Sequence, residues 1–522
     1  MKHKFILNII TFITIIVCYP VIAIAGGNTD DTDEYKLTAK ITLVEKYKTK
    51  KLQEYIDKEN ICKTGNNTDA CNENKKNLAE DFNFNLDQIG ESNPISRIDA
   101  YSVIYNSKDL YNAPDTLSGA ILVPEIEKEK IKGVVLFYHP QEFTKYNVPS
   151  CFLNASDLPD YCQINKKIKG SDYVLKIGGV FASQGYVVVM PDYIGQGIDS
   201  SNMHPYMIYP QANAKSGLDM LNASRQLLKT LGIENKTELN LYLSGSSEGG
   251  LYALWASRLL QNSRAAKLLD DNNFNLAVTV PISGPYDLSQ AQIPFLFSNV
   301  ATYPNKNKYR ALGSDELVTM KAVFATAYLT SLAYYNFNQD YSSVFDPDFL
   351  SCGSDCKFGK NSYTIPELYT LNNLGLTRDE VFKAVRGAAT DTINQDNDLA
   401  YGSDNNSIKS FVADGLAKDA TFNKITQQSD IINWKTTTPI TFISLDYDSL
   451  ITPLNTQNAY LGLKKASKKG LVHRVSISNF DYNISIGNKN PNKVKPIDNA
   501  DGMVFSFIAA LNEFNQASQI ND

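Results

Sequence analysis

Gly245-Ser246-Ser247-Glu248-Gly249 is a G-x-S-x-G pentapeptide between a strand-like run, Leu239–Leu243, and a helix-like run, Leu251–Leu260. A serine hydroxyl is a weak nucleophile until it is exposed and a neighbouring base takes its proton. Glycines on both sides of Ser247 permit a tight, strained turn that lifts the hydroxyl above a sheet and lets neighbouring backbone approach. The competing reading is a tight turn without chemistry, and the strand-before, helix-after context favours the nucleophile.

Acyl transfer needs donors for the negative charge that develops on the substrate oxygen. The backbone N–H of Glu248 is one. The second is expected from the loop after the apolar run Gly133–Tyr138, which reads His139-Pro140-Gln141-Glu142. Pro140 has no N–H, so Gln141 is the expected donor, and His139 reads as a loop-fixing residue. An acid should follow a later strand. Asp448, in Asp446-Tyr447-Asp448-Ser449-Leu450-Ile451-Thr452-Pro453, is the first choice and Asp446 the second. The competing role for Asp448 is a turn or cap ahead of Pro453.

Holding these groups together takes a sheet. Ile98–Tyr105 and Leu117–Val123 read as strands around a turn at Ala113-Pro114-Asp115. Gly133–Tyr138 (GVVLFY) and Gly185–Met190 (GYVVVM) are fully apolar, as expected of strands buried on both faces. Leu239–Leu243, Leu276–Pro281, Ile440–Leu445 and Val472–Ile477 continue the series. Tyr173–Ser183, Ala212–Leu231, Leu251–Leu260, Thr456–Lys465 and Met503–Phe514 read as helices between or after them. Alternating strands and helices imply an α/β fold: a mostly parallel central sheet with helices on both faces. From Ser289 to Lys435 the alternation stops, and an aromatic-rich, helical pattern reads as a large cap inserted between two core strands. Phe295, Phe297, Tyr328, Tyr334 and Tyr335 are candidates for its pocket wall, or for ordinary cap core.

The predicted organisation is a signal peptide at 1–25, an N-terminal extension at 26–95, the core at 96–288, the cap at 289–435 and the rest of the core at 436–522. Lys2 and Lys4 precede an apolar run, Phe5–Ile24, that ends in the small-x-small site Ala23-Ile24-Ala25-Gly26. This is the layout of a secretory signal, with an uncleaved anchor as the alternative. Export would make the protein secreted or periplasmic, with no stable membrane span once the signal is cleaved. In the extension, Lys36–Lys58 reads as an amphipathic helix.

The formal charge is −6, and −8 without Lys2 and Lys4. This acidic balance argues against a nucleic-acid partner, which calls for a basic footprint. Of seven cysteines, Cys18 lies in the signal, and the rest form close pairs: Cys62/Cys71, Cys151/Cys162 and Cys352/Cys356. In an exported protein an even set reads as disulfides. Local pairing is the expectation, and free thiols or a metal site are the weaker alternative. No cofactor or metal is called for.

Several segments together resemble the α/β-hydrolase superfamily, particularly its secreted lipase-like and prolyl-oligopeptidase-like branch. They are Ser118-Gly119-Ala120-Ile121-Leu122-Val123-Pro124, Pro191-Asp192-Tyr193-Ile194-Gly195-Gln196-Gly197, His204-Pro205-Tyr206, Gly245 to Gly250, Ser283-Gly284-Pro285-Tyr286-Asp287-Leu288, and Asp448 to Pro453. The resemblance runs from about Ile98 to the C-terminus. It implies esterase, lipase or peptidase chemistry with Ser, Asp and His in that chain order, and an insertion after Leu288 that covers the active site.

The histidine departs from that pattern. The loop after the last strand, Asn479-Phe480-Asp481-Tyr482-Asn483-Ile484, contains none, and Asn483 stands near the expected place. His473 begins that strand, and at about 3.3 Å per residue it should lie at the far edge of the sheet. His204 follows the Pro191–Gly197 loop on the correct edge, in a place the family resemblance marks as structural. Three readings follow. The first is a serine esterase or lipase-like hydrolase acting on a small-molecule or lipid ester, with a displaced His204 or His473 as base. The second is a non-catalytic binder that has lost the imidazole. The third is a peptidase using the same residues.

Overall fold

Short apolar runs set the core of the molecule, seen here in a computed structural model. It describes residues 35–43, 98–151, 159–162, 177–233, 238–261, 266–271, 273–297, 314–350, 357–358, 361–370, 380–385, 388, 412–445, 448, 450–477 and 499–520. The strands are β1 (Tyr35–Leu43), β2 (Ile98–Lys108), β3 (Pro114–Pro124), β4 (Gly133–Tyr138), β5 (Tyr186–Pro191), β6 (Leu239–Ser246), β7 (Phe274–Ile282), β8 (Lys357–Phe358), β9 (Asn361–Ser362), β10 (Ile440–Leu445) and β11 (Val472–Ile477). Nine form one sheet in the order β1-β2-β3-β5-β4-β6-β7-β10-β11, and β8 pairs with β9. β1, β2, β3 and β5 pair antiparallel in succession. From β5 through β4, β6, β7 and β10 to β11 every pairing is parallel.

The apolar runs serve two cores at once. Along β4, Val134, Leu136 and Tyr138 face one core while Val135 and Phe137 face the other. This follows from the two-residue side-chain period of a strand, and it is why the segment is apolar throughout. The first face packs α1 (Pro210–Thr230) and α2 (Glu248–Leu260). The second packs the C-terminal helix Asn499–Ile520, through Phe507, Leu511 and Phe514. The Cys151–Cys162 disulfide lies on this second face. The other two expected pairs, Cys62/Cys71 and Cys352/Cys356, lie outside the described residues.

The N-terminal reading requires a correction. Lys36–Lys58 does not begin as a helix, because Tyr35–Leu43 is a strand paired with β2 in register Leu43↔Ile98 to Tyr35↔Tyr105. Leu37, Ala39, Ile41 and Leu43 alternate with polar residues, a period of two that a long lysine-rich window conceals. A bulge between Leu37 and Ala39 adjusts the register.

Between β7 and β10 the described residues are mainly helical, apart from the short β8–β9 pair. α3 (Ser314–Asn336) and α4 (Ala420–Gln428) are its main described helices. The insertion packs onto loops at the carboxyl edge of the sheet. Phe143, after β4, meets Phe324 at 5.2 Å and Phe382 at 5.1 Å between ring centroids. Ser331 Oγ donates to the His204 carbonyl and accepts from Tyr206 N–H. The Tyr335 hydroxyl donates to the Met203 carbonyl. Among the described residues, no helix is long and apolar enough to cross a membrane.

Candidate active site

Ser247 joins β6 to α2 with φ 56° and ψ −124°. A non-glycine residue at such a dihedral pair costs about 1–3 kcal/mol, so the surroundings must enforce it. They do so from both sides. Ser247 N–H donates to the Ile282 carbonyl of β7 at 2.9 Å, and the Ser247 carbonyl accepts from Gly250 N–H at 2.9 Å. The flanking glycines are obligatory. A Cβ on Gly245 would lie 2.2 Å from the Gly249 carbonyl oxygen, and one on Gly249 would lie 2.1 Å from that of Tyr138. Their absence brings β4, the turn and α2 into backbone contact. The Ser247 side chain makes no hydrogen bond among the described residues, and it retains 8 % exposure.

The parallel register lines up the other expected groups on the same edge. Tyr138, the last residue of β4, pairs with Gly245 of β6, so the His139–Gln141 loop begins beside the turn. On the other side Ser246 pairs with Ile282, and Ile282 with Ile443 of β10. Asp448 follows β10 by three residues. Strand spacing near 4.8 Å puts the ends of β6 and β10 about 10 Å apart, room for one ring between a serine and an acid.

Asp448 is buried, and its Oδ1 accepts from Leu450 N–H and Ile451 N–H, each at 2.9 Å. It therefore performs the turn-forming role that competed with the acid role, and it does so with one oxygen. Asp446 lies outside the described residues. Gln141 is buried, and its side-chain Nε2 has no hydrogen-bond partner among the described residues.

Glu248 does more than carry an N–H. Its buried Oε1 accepts from Tyr252 Oη at 2.7 Å and Met207 N–H at 2.8 Å. His204 Nε2 lies 3.3 Å from both carboxylate oxygens, while Nδ1 donates to the Ile194 carbonyl at 2.9 Å. The Tyr193 ring stacks on His139 at 4.0 Å and on His204 at 5.4 Å. Tyr252 meets Tyr193 edge-on at 4.8 Å. Under the Ser247 turn there is thus a buried aromatic stack with a carboxylate at one end. The sequence showed Glu248 only as a backbone donor. His204-Pro205-Tyr206 was the available signal for its side chain.

The histidines lie elsewhere than the serine hydroxyl. Both nitrogens of His204 are engaged. His139 Nδ1 donates to the Pro140 carbonyl at 2.7 Å, and burial lowers its pKa to about 4, so it is neutral at pH 7. His473 is exposed at the amino end of β11, with Nε2 donating to the Gly470 carbonyl. Among the described residues no imidazole is hydrogen-bonded to Ser247. Asn483 lies outside them.

The expected pocket aromatics divide. Tyr328 shares a hydrogen bond with Thr426 of α4, and Phe297 packs near Phe422, both within the segment between β7 and β10. Tyr335 instead reaches the loop after β5 through Met203. Among the described residues no cluster of three or more His, Cys, Asp or Glu could hold a metal ion.

Residues 175–268 match the model of the secretory lipase family. No curated protein matches the sequence. Among solved structures, the fold is similar to a protein of Legionella pneumophila, with TM-score 0.55 and 18 % identity over 86 % of this chain and 96 % of that one. It is also similar to the rice cell wall degrading esterase LipA from Xanthomonas oryzae, with TM-score 0.53 and 18 % identity over 86 % and 94 % of the two chains.

Proposed function

This chain is an α/β-hydrolase by fold, and from that premise we propose that it is an exported serine hydrolase of carboxylic esters with Ser247 as its nucleophile. The observation that carries the reading is the enforced left-handed backbone of Ser247 between β6 and α2. Ser247 Oγ attacks the ester carbonyl. The N–H groups of Glu248 and Gln141 receive the oxyanion, collapse of the tetrahedral intermediate expels the alcohol with the proton lost from Ser247, and water then hydrolyses the acyl-serine to the free acid and Ser247. Asp448 is the acid, two strands away. The match to the secretory lipase family supports both an ester substrate and export. A small-molecule or lipid ester suits a serine beneath an aromatic-rich cap.

A second reading is favoured by one observation. Both nitrogens of His204 are occupied and His473 stands at the amino end of β11. With no imidazole hydrogen-bonded to Ser247 among the described residues, the protein would bind an acyl compound and turn it over slowly or not at all. Hydrolysis of p-nitrophenyl esters by wild type and Ser247→Ala separates the readings. Turnover that vanishes in Ser247→Ala supports the hydrolase, whereas acyl-ligand binding without turnover supports the binder.

A further inference from the structure

The loop that carries Asp448 is fastened to the start of the cap. Gln292 ends the helical turn Leu288–Gln292, just beyond the core, and its side chain is buried. Its Nε2 donates to the Leu450 carbonyl at 2.8 Å. Its Oε1 accepts from Thr452 N–H at 3.3 Å and from Asn455 Nδ2 at 2.7 Å. Leu450 is the residue whose N–H donates to Asp448 Oδ1. One peptide unit away from the acid, the loop is thus held by a primary amide. The site needs a donor for a carbonyl and an acceptor for an N–H from one side chain. Gln supplies both, Glu lacks the donor and Arg the acceptor.

A second tie closes the arrangement. Asp287 N–H donates to Asn455 Oδ1 at 3.0 Å, and Asp287 Oδ2 accepts from Asn458 Nδ2 at 2.6 Å. Asn455 Nδ2 also donates to the Thr452 carbonyl at 3.1 Å. Asp287 and Gln292 flank the chain's entry into the cap, and Asn455 lies in the first turn of the helix Leu454–Ala466. The root of the cap and the acid loop form one hydrogen-bonded unit.

We propose that Gln292 is the positioning residue of the acid: it fixes the loop that aims Asp448 and so makes the cap's root part of the catalytic scaffold. This rests on reading Asp448 as the acid partner of Ser247. Gln292 touches no substrate and acts through Leu450.

The test uses the full chain with Gln292→Met, which keeps the bulk and loses every hydrogen bond, and Gln292→Glu, which keeps the acceptor and replaces the donor to Leu450 with a second acceptor. Hydrogen exchange is followed in peptides covering residues 448–455 and in the helix 248–260. In both variants, exchange in 448–455 is expected to rise about tenfold or more while 248–260 is unchanged. Ester hydrolysis should lose about ten- to a hundredfold in kcat with KM within about twofold. Unchanged exchange at 448–455, or equal acceleration in both segments, overturns the proposal. If Gln292→Met does not fold, Gln292→Glu decides by the same criteria. A wild type without turnover, combined with the local exchange gain, would retain the clamp and reject the hydrolase reading. Wild-type turnover that both variants share at full rate, with unchanged exchange, would do the reverse.

Discussion

His204 Nε2 lies 3.3 Å from each carboxylate oxygen of Glu248, the residue that follows Ser247. The other ring nitrogen faces the Ile194 carbonyl, which can only accept, so Nδ1 carries a proton. The imidazole is thereby committed to the underside of the Ser247 turn. Removing the imidazole takes one buried partner from the carboxylate, which keeps Tyr252 Oη and Met207 N–H, at a cost of about 1–3 kcal/mol. His204→Ala should therefore lower unfolding stability by that order in urea titrations. Any ester turnover by the folded variant should keep the wild-type pH profile. A pH profile that loses a limb while stability is unchanged would make His204 the base.

Asn483, which the sequence puts near the place expected for the histidine, is the position to substitute. An amide cannot titrate and so cannot take the serine proton. Asn483→His should raise the hydrolysis of an activated ester by about 10²–10⁴-fold, the usual contribution of a general base. No gain, with activity in the wild type lost in His473→Ala or His204→Ala, would contradict the lost-histidine account.

Lys321 gives a prediction about pH. Its Nζ donates to the Phe295 carbonyl at 3.0 Å and lies 3.7 Å from the centre of that ring. Burial lowers its pKa from 10.5 to about 7. Between those values the unfolded chain holds a proton on this amine that the folded chain lacks, so this group makes stability rise with pH. The slope approaches about 1.4 kcal/mol per pH unit within that window. The difference in unfolding free energy between wild type and Lys321→Met should change with that sign from pH 7 to pH 10. A flat difference would place the ammonium in a solvated setting.

Peptide mapping without reduction should find Cys151 joined to Cys162, the pair bridged in the structure. The bridge adjoins Ser150, whose N–H and hydroxyl both donate to buried Asp192 at the end of β5. Cys151→Ser with Cys162→Ser should cost about 3 kcal/mol, the loop-closure value for a short loop. The same map should show Cys62–Cys71 and Cys352–Cys356, and free thiols there would contradict local pairing.

The core strands were legible because residues buried on both faces must be apolar throughout, as in GVVLFY and YVVVMP. The turn at Ser247 was legible because its glycines have no substitute at 2.2 Å and 2.1 Å from backbone oxygen. β1 was not, because a lysine-rich edge strand resembles a helical window until its pairing with β2 is known. Nor were the roles of the Glu248 and Gln292 side chains. Most of their partners lie 41 to 44 residues earlier and 158 to 163 residues later, and a buried amide or carboxylate leaves no local pattern.

The most direct test of the account is the mass of the adduct formed when the full chain is incubated with a fluorophosphonate. The prediction is a single modified peptide bearing the label on Ser247, with none in Ser247→Ala. A label on any other serine, or labelling that survives Ser247→Ala, would contradict the assignment of Ser247 as the nucleophile.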